Sequence, residues 1–139
     1  VPAFSLSAAE LNGLFSIMDR IYLPGPVADY IARLVHATDP SASALPRIQE
    51  FVHYGASPRA AIAVAEAARG VALLAGRPSV GFEDVREVFV AALNHRVLLN
   101  YKARFEGLTT STLLHELMKA TRETDLEFSR GVSMLTENV

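Results

Sequence analysis

No cysteine occurs among the 139 residues, which excludes a disulfide framework and any thiolate metal site. A reducing, cytoplasmic setting is compatible with that absence. An excess of one charge is lacking too. Thirteen basic residues stand against fifteen acidic ones, for a net charge of −2. No prospective helix carries a Lys/Arg-rich face, which argues against a DNA-reading helix-turn-helix and against a general polyanion binder. No apolar run reaches the ~18–20 residues of a membrane span. The stretch from Ala60 to Ala75 comes nearest, and Glu66, Arg69 and Gly70 interrupt it. No charged segment followed by an apolar one opens the chain, so no signal peptide is expected. The first residue is Val1, which suggests a piece of a longer protein. None of the eight glycines precedes a lysine, so there is no Gly-x-x-x-x-Gly-Lys loop. Gly-x-Gly-x-x-Gly and Gly-x-Ser-x-Gly are also missing. By itself the chain is not expected to hold Mg-ATP in the P-loop manner.

What is present is helical periodicity over a large apolar fraction. Half the residues are hydrophobic, enough for one domain with one core. Ser7-Ala8-Ala9-Glu10 reads as a capping box, followed by Leu11, Leu14, Phe15 and Met18 at helical spacing, with Ile21 and Tyr22 continuing the face. Pro24-Gly25-Pro26 stops that helix and opens another, whose face is Val27, Tyr30, Ile31, Leu34 and Val35. Thr38 to Pro46 reads as a loop. Ile48 to Tyr54 suits either a helix or an extended segment. A central helix is expected from Pro58 to about Ala75, stopped by Gly76. Eight residues between Ala60 and Ala75 are alanine, and a helix apolar almost all round is expected to be buried. Phe82, Val85, Val88, Phe89, Ala92 and Leu93 mark a further helix, which could persist towards Leu99. Asn100 to Gly107 reads as a polar connector. Caps among Thr109 to Thr112 introduce a last helix bearing Leu113, Leu114, Leu117 and Met118. The fold class is therefore all-α, a bundle of about five helices around an alanine-rich central one. From Thr121 the periodicity weakens, and Leu126, Phe128, Val132 and Leu135 supply the apolar content of a tail.

Ser57-Pro58-Arg59 is the most informative stretch. Ser57 can cap a helix, and Pro58 suits the first helical position because its missing N–H costs nothing there. Arg59 then falls in the first turn, where the helix dipole disfavours a cation by roughly 0.3–1 kcal/mol. A guanidinium placed against that preference points to an anion shared with the helix start. The plain alternative is a surface arginine behind a good cap. His115-Glu116-Leu117-Met118-Lys119 is a near miss to the zinc-protease helix, because Lys119 occupies the place of the second histidine. His36, His53 and His95 lie far apart and read as surface or boundary residues. Glu66 and Arg69 read as a local ion pair worth about 0.2–0.5 kcal/mol. Glu83-Asp84 falls in a first turn, where capping electrostatics already accounts for it.

Taken together, Gly55-Ala56-Ser57-Pro58-Arg59-Ala60, Gly76-Arg77 with Val80 and Glu83-Asp84-Val85, and His95-Arg96 resemble the C-terminal helical lid of MoxR-type AAA+ ATPases. Tyr30-Ile31 with Thr38 and Pro40 looks like that family's second lid helix. The resemblance covers roughly residues 5–115. It implies a lid domain over residues 1–120 and a tail over 121–139. It implies that Arg59, set by Ser57 and Pro58, is the sensor that reaches the phosphates of ATP, with Mg²⁺ and most of the nucleotide held by a P-loop core. It further implies a parent ATPase assembled as a homo-oligomeric ring, usually a hexamer, that remodels partner complexes in a chaperone-like way, often with von Willebrand factor A-domain proteins. The chain departs from the pattern in three places. Gly81-Phe82 replaces a Thr-Pro or Ser-Pro helix start, Asp39 follows Thr38 where a basic residue is common, and the tail after about Ala120 has no counterpart. The competing expectation is a helical interaction module with no nucleotide role, whose surface would lie on the tail or between Tyr22 and Tyr30.

Overall fold

A computed structural model describes residues 4–124. The elements run α1 (Ala8–Met18), α2 (Gly25–His36), α3 (Pro46–Phe51), β1 (Val52–Tyr54), α4 (Arg59–Leu74), α5 (Phe82–Leu93), β2 (Leu98–Leu99), α6 (Tyr101–Phe105) and α7 (Thr110–Ala120). The all-α reading holds, with seven helices among the described residues rather than about five. The undecided run after Ile48 is both things in succession, a single-turn helix and then a short strand. That strand pairs antiparallel with β2. The segment read as a polar connector is α6, capped by the Asn100 side chain and stopped by Gly107 at φ 68°.

The Ser7–Glu10 capping box is formed. Glu10 Oε2 accepts from Ser7 N at 2.8 Å, and Ser7 Oγ accepts from Glu10 N at 3.2 Å. Of the apolar face that follows it, only Ile21, just past the helix, is buried, and Met18 is half-buried. No residue of α1 is buried, and Leu11, Leu14, Phe15 and Ile17 are all exposed. The helix touches α4 near Gly70, where an added Cβ would stand 3.6 Å from Met18 Sδ.

α4 packs against α5 more extensively than any other pair of elements. The reason is a stripe of small residues one turn apart, Ala60, Val64, Ala68 and Ala72, all fully buried. Alanine lets the two backbones approach, and Val85, Phe89 and Leu93 of α5 fill the remaining space. The expectation of burial all round is corrected on the other faces, since Ile62 is exposed and Leu74 is 90% exposed. α2 contributes Val27, Tyr30, Ile31, Leu34 and Val35 to the core, and α7 contributes Leu113, Leu114 and Leu117. Each such leucine or valine contributes roughly 1.5–3 kcal/mol on burial. Tyr30 lies edge-on to Phe82 with ring centroids 5.5 Å apart.

α4 ends in a Schellman motif. Gly76 at φ 70° lets Arg77 N–H reach the Ala72 carbonyl at 2.8 Å, while Gly76 N–H reaches Leu73 O at 2.9 Å. α5 stops at Leu93 and does not persist to Leu99. After α7, Arg33 donates to the carbonyls of Arg122 (2.8 Å) and Glu123 (2.7 Å), and Arg86 pairs with Glu123. The first residues of the expected tail are thus tied to α2 and α5. Leu126, Phe128, Val132 and Leu135 lie outside the described residues. Among the described residues no helix is long and apolar enough to cross a membrane.

Candidate functional site

The loop that leads into α4 lies across the end of α2, and two contacts hold it there. Thr38 is completely buried. Its hydroxyl donates to the Val35 carbonyl at 2.7 Å and accepts from Ala56 N–H at 2.9 Å. One residue earlier, Gly55 meets the α2 exit backbone directly. A Cβ at Gly55 would stand 2.7 Å from Asp39 Cα, from Asp39 N and from the Thr38 carbonyl carbon. Those are backbone atoms of a turn fixed by its own bonds, so they cannot give way cheaply. Asp39 Oδ1 accepts from Ser41 N (2.8 Å) and Ser41 Oγ (2.6 Å), and its carbonyl accepts from Ala42 and Ser43 N–H. The Ser41 contacts hold the Asp39 carboxyl below the usual range. The departure at Asp39 is therefore a turn-forming aspartate.

Beyond Ala56 the chain enters α4, and one expectation needs correction. The Ser57 hydroxyl does not cap the helix, for α4 has no side-chain cap hydrogen bond. Pro58 already adopts helical angles, φ −55° and ψ −26°, and occupies the capping position rather than the first helical one. The first turn closes instead through the Ser57 carbonyl, which accepts from Ala60 N–H at 2.8 Å. Proline thus supplies by ring geometry part of what a cap supplies by bonding. Ser57, Pro58 and Arg59 are all exposed, while Ala60 beside them is fully buried. The buried stripe that starts at Ala60 fixes the axis of α4, and Arg59 beside it faces solvent.

The surroundings of Arg59 differ from those of most arginines here. Arg47 pairs with Glu116, Arg69 with Glu66 at 2.8 Å, Arg77 with Asp84, and Arg33 and Arg96 with backbone carbonyls. The Arg59 side chain, like those of Arg20, Arg104 and Arg122, makes no hydrogen bond or ion pair among the described residues; what sets Arg59 apart is its place in the first turn of a long helix. Five donors are thus held on a braced helix start with nothing to donate to, at a helix end that favours an anion.

Other candidates resolve into structure. His115 Nδ1 lies 2.8 Å from the Ser111 carbonyl and Glu116 pairs with Arg47 at 3.1 Å, so the near miss to a zinc helix is a solvated helix face. The His53 ring lies against that of Tyr54 at a tilt of 58°, and Arg96 closes the end of α5 on Ala92 O. Between Tyr22 and Tyr30, Tyr22, Gly25, Pro26 and Asp29 are exposed, whereas Val27 and Tyr30 are buried, Tyr30 beneath Arg33. A shallow cavity of about 350 Å³ lined by Tyr30, Arg86, Met118 and Lys119 shares no residue with the Arg59 loop. Arg77, which the sequence offers only as a family marker, and Asp84, which it offers also as a first-turn carboxylate, form a bracket. Arg77 Nη1 donates to Asp84 Oδ2 at 2.8 Å, Arg77 Nη2 donates to Oδ1, and Gly81 N–H also donates to Oδ2 at 2.8 Å. The weaker start at Gly81 is thus capped from Asp84 three residues on. The Thr38–Ala56 bond has no signature in the sequence. Its partners are 18 residues apart, and no local pattern announces it.

Residues 45–117 match the family model described as the AAA lid domain. Over 115 residues the chain is 32% identical to Chaperone MoxR1 of Mycobacterium tuberculosis, covering 82% of this chain and 30% of that protein. Over 96 residues it is 32% identical to the uncharacterised protein YeaC of Bacillus subtilis, covering 69% and 28%. A crystal structure of a provisionally assigned ATPase from Cytophaga hutchinsonii superposes with a TM-score of 0.74 at 32% identity, covering 77% of this chain and 33% of the other. The chain spans about a third of the length of each of these relatives.

Proposed function

The chain belongs to the AAA lid domain family, and on that footing we propose that it is the helical lid of a MoxR-like AAA+ ATPase and that Arg59 completes the nucleotide site. The observation that carries this reading is the exposed Arg59 guanidinium, without a partner among the described residues, on a helix start braced from α2. Its donor set fits a terminal phosphate, which a planar fork can grip bidentately. ATP with Mg²⁺ would supply the cleavable phosphoanhydride and would be held mainly by the P-loop core. In this reading Arg59 holds the lid against the core while the terminal phosphate is present. Its loss of that contact after cleavage lets the lid turn as a rigid body. The lid spans residues 1–120 and the tail 121–139. The parent acts as a homo-oligomeric ring, a hexamer, that remodels partner complexes in a cytoplasmic, chaperone-like role, with von Willebrand factor A-domain proteins among its partners. Calorimetric titration of the intact protein with ATP and with ADP tests the central claim. Arg59→Ala should weaken ATP binding and leave ADP binding nearly unchanged.

The exposed apolar face of α1 supports a second element of the proposal. Phe4, Leu6, Leu11, Leu14, Phe15 and Ile17 are exposed on and just before a well-capped helix. A patch of that kind marks a contact surface, and the relatives are about three times the length of this chain. The surface is assigned to the parent's own core. Phe15→Glu is expected to leave the stability of the 139-residue chain within about 0.5 kcal/mol. It should lower the melting temperature of the intact protein. Equal melting temperatures for the intact wild type and variant would remove α1 from the interface.

A further inference from the structure

We propose that Thr38 is a positioning residue for Arg59, with Gly55 as its steric complement, so that the end of α2 sets where the guanidinium points. This inference rests on the reading of Arg59 as a phosphate contact. The geometry behind it is a short relay. The Val35 carbonyl at the end of α2 fixes the Thr38 hydroxyl by accepting its hydrogen bond, which leaves an oxygen lone pair for Ala56 N–H. Ala56 N–H then docks on that oxygen, three residues before Arg59. Thr38 is fully buried, so water cannot stand in for the hydroxyl. Gly55 brings the loop down onto the Thr38–Asp39 backbone, at a separation no side chain would permit.

A helix start with its own side-chain cap would fix its first turn locally. α4 has none. Its buried stripe begins at Ala60 and secures the axis, while the residues just before it depend on the α2 contact. The relay therefore governs the part of the chain that carries the sensor and not the body of the helix. Thr38 touches no nucleotide in this scheme. It acts through Arg59.

The test uses the intact protein with Mg-ATP and Mg-ADP as probes. Thr38→Val removes the hydroxyl at nearly constant shape and should reduce the preference for ATP over ADP roughly fivefold, as loss of one neutral hydrogen bond predicts. Thr38→Ser keeps the hydroxyl and should restore the preference. In an Arg59→Ala background, Thr38→Val should change the preference no further, because both act through one group. A merely structural role would lower the melting temperature and leave the ATP-to-ADP ratio untouched, and that result would overturn the inference. Should Thr38→Val fail to fold, Gly55→Ala serves instead, displacing the same loop and lowering the same ratio. If Arg59→Ala itself leaves the ratio unchanged, the phosphate-contact reading fails. If Arg59→Ala lowers it and Thr38→Val does not, this inference alone fails.

Discussion

Arg59→Ala in the intact protein should lower ATP turnover, or its discrimination between ATP and ADP, by about 10–100-fold. The size follows from one charge-assisted hydrogen bond, worth about 1.5–3 kcal/mol. That exceeds the roughly 0.3–1 kcal/mol the helix dipole exacts from a cation in the first turn, so the position makes energetic sense with an anion bound. Arg59→Lys should recover little, because an ammonium cannot reproduce the planar fork. The competing reading, a helical interaction module, predicts that Arg59 is replaceable. Steady-state kinetics of the intact enzyme separates the two. Unchanged turnover and unchanged nucleotide preference in the alanine variant would remove Arg59 from the site and leave the apolar face of α1 as the functional surface to pursue.

Local signals in the sequence are legible wherever the decisive contact lies within about five residues. The Ser7–Glu10 box, the Gly76 stop and the Thr109 cap all depend on residues no more than five apart, and all are formed. The errors have their causes in length, distance or exposure. α6 reads as a connector because five residues, Tyr101 to Phe105, are too few to show a helical period, and only Ala103 among them is buried. α1 and α4 carry apolar residues that the described chain does not cover, and periodicity says which face is apolar without saying what covers it. The Arg59 motif was legible, but its seat was not. A Thr38 hydroxyl under Ala56 and a bare Gly55 against Asp39 are tertiary facts, and neither leaves a short-range pattern. Ser57 shows the converse failure, a favourable cap residue whose role is taken by the proline beside it.

Asp84→Ala should destabilise the chain by about 2–3 kcal/mol at neutral pH. Asp84 is 1% exposed and takes two bonds from Arg77 and one from Gly81 N–H. It joins the Schellman end of α4 to the first turn of α5, the most extensive helix pair in the fold. The orphaned Arg77, 36% exposed, can turn to water, which keeps the cost below that of a fully buried charge. Arg77→Ala is the more damaging half of the pair, because it leaves the carboxylate buried without its main partner. The double variant should be less damaged than Arg77→Ala alone. The Arg77 hydrogen bonds, helped by Gly81 N–H and opposed by burial, hold the Asp84 carboxyl below the usual range. A carboxylate that binds its proton more weakly folded than unfolded stabilises the fold above the unfolded value of about 4. That contribution is lost as pH falls through the lower folded value. Glu10 and Asp39 shift in the same direction, so acid unfolding of the wild type is not Asp84's alone. The difference between wild type and Asp84→Ala isolates it. In urea titrations the gap should be full at pH 7 and narrow steadily below about pH 4. A gap that stays constant down to pH 2 would mean that Asp84 contributes through packing and not through its charge.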